Sequence, residues 1–327
     1  MPVPDGTMPC VDIIVLDDYQ GVALQMADWS RLQAQGRVDV CGDHVDGSDA
    51  LVERLAPYDA VVLMRERTPL PAAVIDRLPR LRLVVTTGRR NPVIDLDACR
   101  RRGIVVCNTG SPAGSTVEHT WALLLALCRH LVEEAGNVRA GRWQSTIGRD
   151  LSGQTLGVLG LGRIGAQVAR VGRAFGMDVL AWSRSLTPGR AAEAGAVAAP
   201  LDEVLAGSDV VTVHLVLSEE TRGLVGAREI GLMRPGALLV NTSRGPIVDT
   251  AALVDALERG HLGGAALDVF DTEPLPADDP LRRAPRLLAT PHLGYVTERV
   301  YRTFYGEAVE DIEAFLAGVP IRRIDGG

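Results

Sequence analysis

Three short segments each carry one polar side chain suited to acid–base or electrostatic work: Arg244 in VNTSRGPIVD, Glu273 in LDVFDTEPLP and His292 in ATPHLGY. Each follows an apolar run, which places it at the C-terminal end of a strand, the edge where open α/β sheets bind ligands. A guanidinium gives a two-pronged hold on a carboxylate. A histidine beside a carboxylate favours its imidazolium form and so keeps a proton available near neutral pH. The set matches what hydride transfer to a keto acid needs: a cation for the carboxylate, and an acid for the carbonyl oxygen as hydride reaches carbon. Taken singly, each residue also has a plainer use. Arg244 can pair with Asp249, Glu273 can be a solvated loop acid before Pro274, and His292 can be a structural histidine.

A second motif supplies the partner chemistry. LGVLGLGRIG (156–165) sets Gly160, Gly162 and Gly165 in a GxGxxG pattern between an apolar run and a helical stripe of Ile164, Val168, Val171 and Phe175. The first glycine permits a tight turn, the second lets backbone approach a pyrophosphate, and the third lets the helix lie close to the strand. The helix start then favours the anion through free amides and its dipole. Arg163 and Ile164, inside the motif, count with the cofactor-binding residues, as does Thr242 beside Arg244. About 20 residues on, this fingerprint usually has an acidic residue for the ribose hydroxyls. DVLAWSR has Ser183 and Arg184 there instead, and an arginine suits a 2′-phosphate, which tilts the expectation from NAD toward NADP.

The elements that must position these residues alternate regularly. VDIIVL, RVDVC, DAVVLM, LRLVVTT and GIVVC read as five strands separated mostly by helical stretches, the rhythm of a parallel, flavodoxin-like unit. After the loop NTGSPAGS (108–115) a single long helix is expected over 115–141, with Ser115 or Thr116 as N-cap and Gly141 as its stop. LGVLG, DVLAW, DVVTVHL, ALLVNTS, GAALDVF and RLLAT then form a second doubly wound sheet, and a final helix is read from the spacing of Val300, Phe304, Ala308, Ile312 and Phe315.

Composition narrows the function. The 327 residues and 46% hydrophobic content suffice for two cores. A net charge of −7 opposes nucleic-acid binding, which rests on clustered positive charge. All 34 basic residues are arginine, which excludes lysine Schiff bases and P-loop lysines. Cys10, Cys41, Cys99, Cys107 and Cys128 form no CxxC pair, so no metal site is expected and a reduced cytoplasmic setting fits. The segment Met1–Pro9 reads as a loose tail rather than a signal peptide, and the apolar stretch Trp121–Leu127 is too short to span a membrane.

With these motifs assembled, the sequence resembles the D-isomer-specific 2-hydroxyacid dehydrogenase family over nearly its whole length. The family's arginine, glutamate and histidine match Arg244, Glu273 and His292. Asp268, and His214 in VTVHLVLSEETRGLVG, match further cofactor-domain positions. The resemblance implies a Rossmann NAD(P)-binding domain over residues 111–295, inserted into a discontinuous substrate domain formed by 1–110 and 296–327. It also implies a homodimer through the cofactor domains, near Trp121, and reduction of a small 2-keto acid or oxidation of a D-2-hydroxy acid. Departures bear on the substrate. Val216 replaces a usual proline, GRRNPV (Arg89, Arg90, Asn91) replaces a loop that often reads GVGxDN, and MRERT puts Arg65 at the family's arginine with Glu66 beside it. These four residues, Arg65, Arg89, Arg90 and Asn91, are the substrate-binding candidates. A nicotinamide-sensing interaction protein of the C-terminal-binding-protein type is the alternative. A formate-dehydrogenase-like enzyme is disfavoured because Glu273 stands where that branch has glutamine.

Overall fold

The computed structural model describes residues 11–324. Cys10 and the segment read as a loose tail lie outside the described residues. The chain divides into two compact units, one built from the chain up to Pro112 with the segment from Thr297 onward, the other from Ala113–Val296.

In the first unit, strands β1 (Ile13–Val15), β2 (Val38–Val40), β3 (Ala60–Leu63), β4 (Leu83–Thr86) and β5 (Val105–Asn108) form a wholly parallel sheet of order β2-β1-β3-β4-β5. Every residue of β1, β3 and β4 is buried. A parallel sheet covered on both faces requires this, and it explains why these strands read as continuous apolar runs. Ile14, Val61, Leu63 and Val84 pack with Leu55, Ile75 and Leu78, each such side chain stabilising the fold by roughly 1.5–3 kcal/mol. The helix Glu298–Leu316, capped by the Thr297 hydroxyl, packs against β4 and β5 and buries Val300, Phe304, Ala308 and Ile312. Phe315 is only partly buried.

The second unit holds β6 (Thr155–Leu159), β7 (Asp178–Trp182), β8 (Val197–Ala198), β9 (Val210–Val213), β10 (Leu238–Asn241), β11 (Gly264–Leu267) and β12 (Leu287–Ala289), in the parallel order β12-β11-β10-β9-β6-β7-β8. Alternate residues feed two cores. Leu156, Val158 and Val240 meet Trp121, Leu124 and Val168 on one face. Leu159, Val211, Val213 and Leu239 meet Ile230, Leu253 and Leu257 on the other. The strand order reverses between β6 and β9, the topological switch point at which such sheets bind ligands.

Three local expectations change. The long helix is two, Gly114–Cys128 and Leu131–Arg139, broken where His130 takes φ +50°. The Arg149 amide donates to the Cys128 carbonyl (2.8 Å), so chain returning from 21 residues ahead ends the first helix. Its N-cap is Ala113, which puts Ser115 and Thr116 inside the first turn, while Gly141 follows the second helix at φ +72°. The helix Arg163–Ala174 buries Gly165, Val168, Ala169 and Gly172, rotating the expected stripe, and Phe175 lies outside on the face of Trp121, ring centroids 5.0 Å apart.

Candidate active site

The coenzyme cradle is set by steric demands on its glycines. Gly160 has φ +99°, and a Cβ there would meet the His214 carbonyl at 2.6 Å. A Cβ on Gly165 would meet the Gly160 carbonyl oxygen at 2.0 Å, so the helix can lie this close only with glycine. Nothing stands within 4 Å of a Cβ on Gly162, which leaves the start of the helix open beside Arg163 and Ile164. That helix has no side-chain cap, so the residues present fit an anionic pyrophosphate.

Around this cradle the side chains are more committed than the sequence alone suggests. Ser183 accepts the Leu161 amide (2.8 Å), stapling the glycine turn to the end of β7. Arg184 is not a free cation, since its Nη1 lies 2.7 Å from Glu220 Oε2. The Glu220 carboxyl, which also accepts from the Ser218 hydroxyl (3.0 Å), is held below the usual carboxylate range first by that hydrogen bond and then by the Arg184 charge. His214 shares a 2.9 Å hydrogen bond with Thr212, and desolvation pushes its imidazole down to about 3, so the ring is neutral. Thr242 is buried and its hydroxyl meets that of Thr120 at 2.8 Å.

Arg244, Glu273 and His292 all belong to the second unit, on loops that leave β10, β11 and β12. Asn241 braces the first loop by donating to the Arg244 carbonyl (2.9 Å) and accepting the Ser243 amide (3.0 Å). Gly245 follows because a Cβ there would meet the Phe270 carbonyl carbon at 2.1 Å. Asp249 caps the helix Thr250–Glu258 by accepting the Ala252 amide (2.9 Å). Glu273 accepts the Phe270 amide through Oε1 (2.9 Å), and its Oε2 lies 2.6 Å from His292 Nδ1. A carboxylate only accepts, so the proton on that bond belongs to Nδ1. His292 sits at φ +53°, a left-handed conformation rare for a non-glycine residue.

Asp268 explains how that kink is kept. The residue is buried, and its carboxylate accepts from Thr290 Oγ1 (2.6 Å), the Leu293 amide (2.7 Å), the Gly294 amide (2.8 Å) and His119 Nε2 (3.1 Å). Burial alone would raise its pKa; the hydrogen bonds from His119 and Thr290 and the Leu293 amide outweigh that and leave it lowered. Three of the four donors converge on Oδ1 and one on Oδ2. Asp268, a cofactor-binding candidate by resemblance, holds the chain on either side of His292. His119 lies in no sequence motif and takes a structural role here. The signal for it is a polar stripe at i, i+3, i+4 on an otherwise apolar helix: Thr116 donates to the Gly294 carbonyl (3.1 Å), His119 meets Asp268 and Thr120 meets Thr242.

The four substrate-binding candidates lie in the first unit, and the structure differentiates them. Arg65 has φ +56° and donates its amide to Thr87 Oγ1 (2.9 Å), while its guanidinium lies across Gly88, where a Cβ would meet Nη1 at 1.7 Å. Arg89 and Arg90 are exposed. Asn91 is buried and its amide is spent on the Arg65 carbonyl (2.7 Å) and Thr86 Oγ1 (2.9 Å), so it braces Arg65 and does not reach outward. Among the described residues, no group of His, Cys, Asp and Glu side chains is arranged to hold a metal ion, and no helix is long and apolar enough to cross a membrane.

The model for the D-isomer specific 2-hydroxyacid dehydrogenase NAD binding domain matches residues 121–294. A glyoxylate reductase of Aeropyrum pernix is 40% identical over 281 residues, covering 80% of this chain and 84% of that protein. A D-3-phosphoglycerate dehydrogenase of Bacillus subtilis is 38% identical over 274 residues, 82% of this chain but 51% of its own length, so the chain spans about half of that relative. Among solved structures, a phosphoglycerate oxidoreductase of Vibrio cholerae O395 matches with TM-score 0.89 at 37% identity, covering 94% of this chain and 99% of that one. D-lactate dehydrogenase of Aquifex aeolicus, complexed with NAD and lactic acid, matches with TM-score 0.79 at 29% identity, covering 97% and 100%. The fold and the strand-end loops define a dinucleotide-dependent oxidoreductase scaffold. The chain belongs to the D-isomer-specific 2-hydroxyacid dehydrogenase family, and its second unit is that family's NAD-binding domain.

Proposed function

We propose that the protein reduces a small 2-keto acid with NADH, and oxidises the matching D-2-hydroxy acid with NAD. The observation that carries this reading is the 2.6 Å pair of His292 Nδ1 and Glu273 Oε2 on loops leaving adjacent strands of the dinucleotide-binding sheet. The bound nicotinamide supplies or accepts the hydride. Glu273, fixed by the Phe270 amide, orients the ring so that Nε2 is the nitrogen left to face the substrate, where it donates a proton to the carbonyl oxygen in reduction and takes it back in oxidation. Arg244 holds the substrate carboxylate and polarises the carbonyl. Arg65, with Arg89 and Arg90, selects among acids that differ in the group beyond the keto carbon.

The similar proteins, named for glyoxylate, 3-phosphoglycerate and lactate chemistry, mark the acids to try first. Purified protein would be assayed with NADH and glyoxylate or pyruvate, and with NAD and D-3-phosphoglycerate or D-lactate, following nicotinamide absorbance. Turnover of at least one that is lost in His292→Ala is expected. Dinucleotide binding without turnover across a broad panel of 2-keto acids would replace the enzyme reading with a dinucleotide-sensing one. The same reading carries a homodimer formed through the second unit. It is supported by the exposed Leu131, Val132, Val138, Trp143 and Ile147, of which Ile147 is 95% exposed, and light scattering on the purified chain checks it.

A further inference from the structure

We infer that Glu220 sets the choice between NAD and NADP. The inference rests on reading the second unit as the coenzyme-binding body, and it starts from what the end of β7 lacks. An acidic residue there would both accept the ribose hydroxyls and repel a 2′-phosphate. Ser183 carries no charge, and its oxygen already accepts the Leu161 amide. Discrimination by charge must then come from elsewhere, and Arg184 by itself would attract the phosphorylated coenzyme.

Glu220 reverses that attraction from the neighbouring loop. Its Oε2 lies 2.7 Å from Arg184 Nη1. The carboxylate does not swing freely, because the Ser218 hydroxyl donates to the same oxygen (3.0 Å). Ser218 is itself fixed, its amide donating to Thr221 Oγ1 (2.8 Å), while the Thr221 hydroxyl donates to the Val216 carbonyl (2.7 Å). The loop after β9 therefore presents one anchored negative charge to the one cation at the end of β7. A 2′-phosphate must compete with Glu220 for Arg184 and then sit beside the displaced carboxylate. The ribose of NAD brings no charge and meets a neutral pair.

Arg184 and Glu220 are more than half exposed, so solvent screens them and the effect is moderate: about 5- to 20-fold in relative affinity for a group carrying one to two negative charges. Replacement of Glu220 by glutamine keeps the size and the Ser218 contact while removing the charge, freeing Arg184 for phosphate.

The test is direct titration of NADH and NADPH into the apo protein, read by nicotinamide fluorescence and by calorimetry, so that turnover is not needed. Wild type is expected to bind NADH more tightly. Glu220→Gln should tighten NADPH about 5- to 20-fold and leave NADH within about twofold, with the gain shrinking at high salt. The gain should vanish in the double variant with Arg184→Ala. A Glu220→Gln protein whose NADPH-to-NADH affinity ratio stays within about twofold of wild type overturns the inference, as does a wild type that prefers NADPH. Turnover that fails while both dinucleotides bind would count against the proposed reaction and leave the coenzyme result standing. Wild-type protein that binds neither dinucleotide would overturn both.

Discussion

Replacing Asp268 with asparagine separates two roles for that residue. In the structure the carboxylate receives four donors: three on Oδ1, from His119, Thr290 and the Leu293 amide, and the Gly294 amide on Oδ2. Asparagine offers one oxygen, so its better orientation keeps Oδ1 and turns an NH2 toward the Gly294 amide, losing that bond. A hydrogen bond to a charged group is worth about 1.5–3 kcal/mol, and the bonds that survive weaken as the charge is removed. The left-handed backbone at His292 opposes the anchor, at a cost of about 1–2 kcal/mol. A net release of about 2–3 kcal/mol would move the balance between the kinked geometry of His292 and its relaxed alternatives roughly 30- to 150-fold against the kink. We expect kcat for keto-acid reduction at saturating coenzyme to fall about 30- to 150-fold, with the coenzyme dissociation constant changing less than about threefold. A residue in contact with the nicotinamide would behave oppositely, raising the coenzyme dissociation constant. The reasoning fails if Asp268→Asn keeps kcat within about fivefold of wild type, or if the loss appears chiefly in coenzyme affinity.

Other expectations follow from the same geometry. Arg244→Ala should lower kcat/KM by roughly thirty- to a thousandfold, about 2–4 kcal/mol for one charged two-pronged contact, and an unchanged value would remove Arg244 from the chemistry. Glu273→Gln should lower kcat by about tenfold or more while coenzyme affinity is kept, because the 2.6 Å pair that orients His292 loses its charge; equal losses in both would point to a folding defect. Asp311, buried with one oxygen unpartnered, is pushed up to about 7 by burial, which outweighs Arg322 at 2.9 Å. Its proton is bound more tightly in the folded state, so the stability it adds is complete below the ordinary carboxylate range and is lost as pH rises through about 7. Asp311→Asn should therefore gain on wild type between acid and mildly alkaline pH, by up to about 4 kcal/mol, and denaturation curves whose difference does not change with pH would refute this.

How much of this was legible in the chain depends on whether each signal was local. Strands buried on both faces announce themselves as apolar runs, and of the twelve strands among the described residues eleven were readable; only the two-residue β8 (Val197–Ala198) was too short to leave a period. The three glycines of the cradle were equally plain as a spaced motif, although only Gly165 answers a clash within its own βα turn; a Cβ on Gly160 would meet the His214 carbonyl and one on Gly162 would meet open space. What escaped was set by chain returning from far away. The helix break at His130 depends on Arg149 taking the Cys128 carbonyl. The engagement of Asp268 depends on His119, which is 149 residues distant, and the neutralising of Arg184 depends on Glu220, 36 residues on.

The polar site candidates differ in how far the fold has already engaged them. Residue type says what a side chain can bind, but whether it is free to bind a ligand depends on how many of its donors and acceptors the fold has already used. Asn91 and Asp268 are of types that suit a ligand, yet the Asn91 amide is engaged by Arg65 and Thr86 and the Asp268 carboxylate by the backbone around His292. Glu273 divides its two oxygens, one spent on the Phe270 amide and one on His292, so the first bond aims the second. Such braced residues should be the ones whose removal lowers kcat with little change in binding, whereas Arg184, held only by an exposed pair, should alter affinity and leave the chemical step alone.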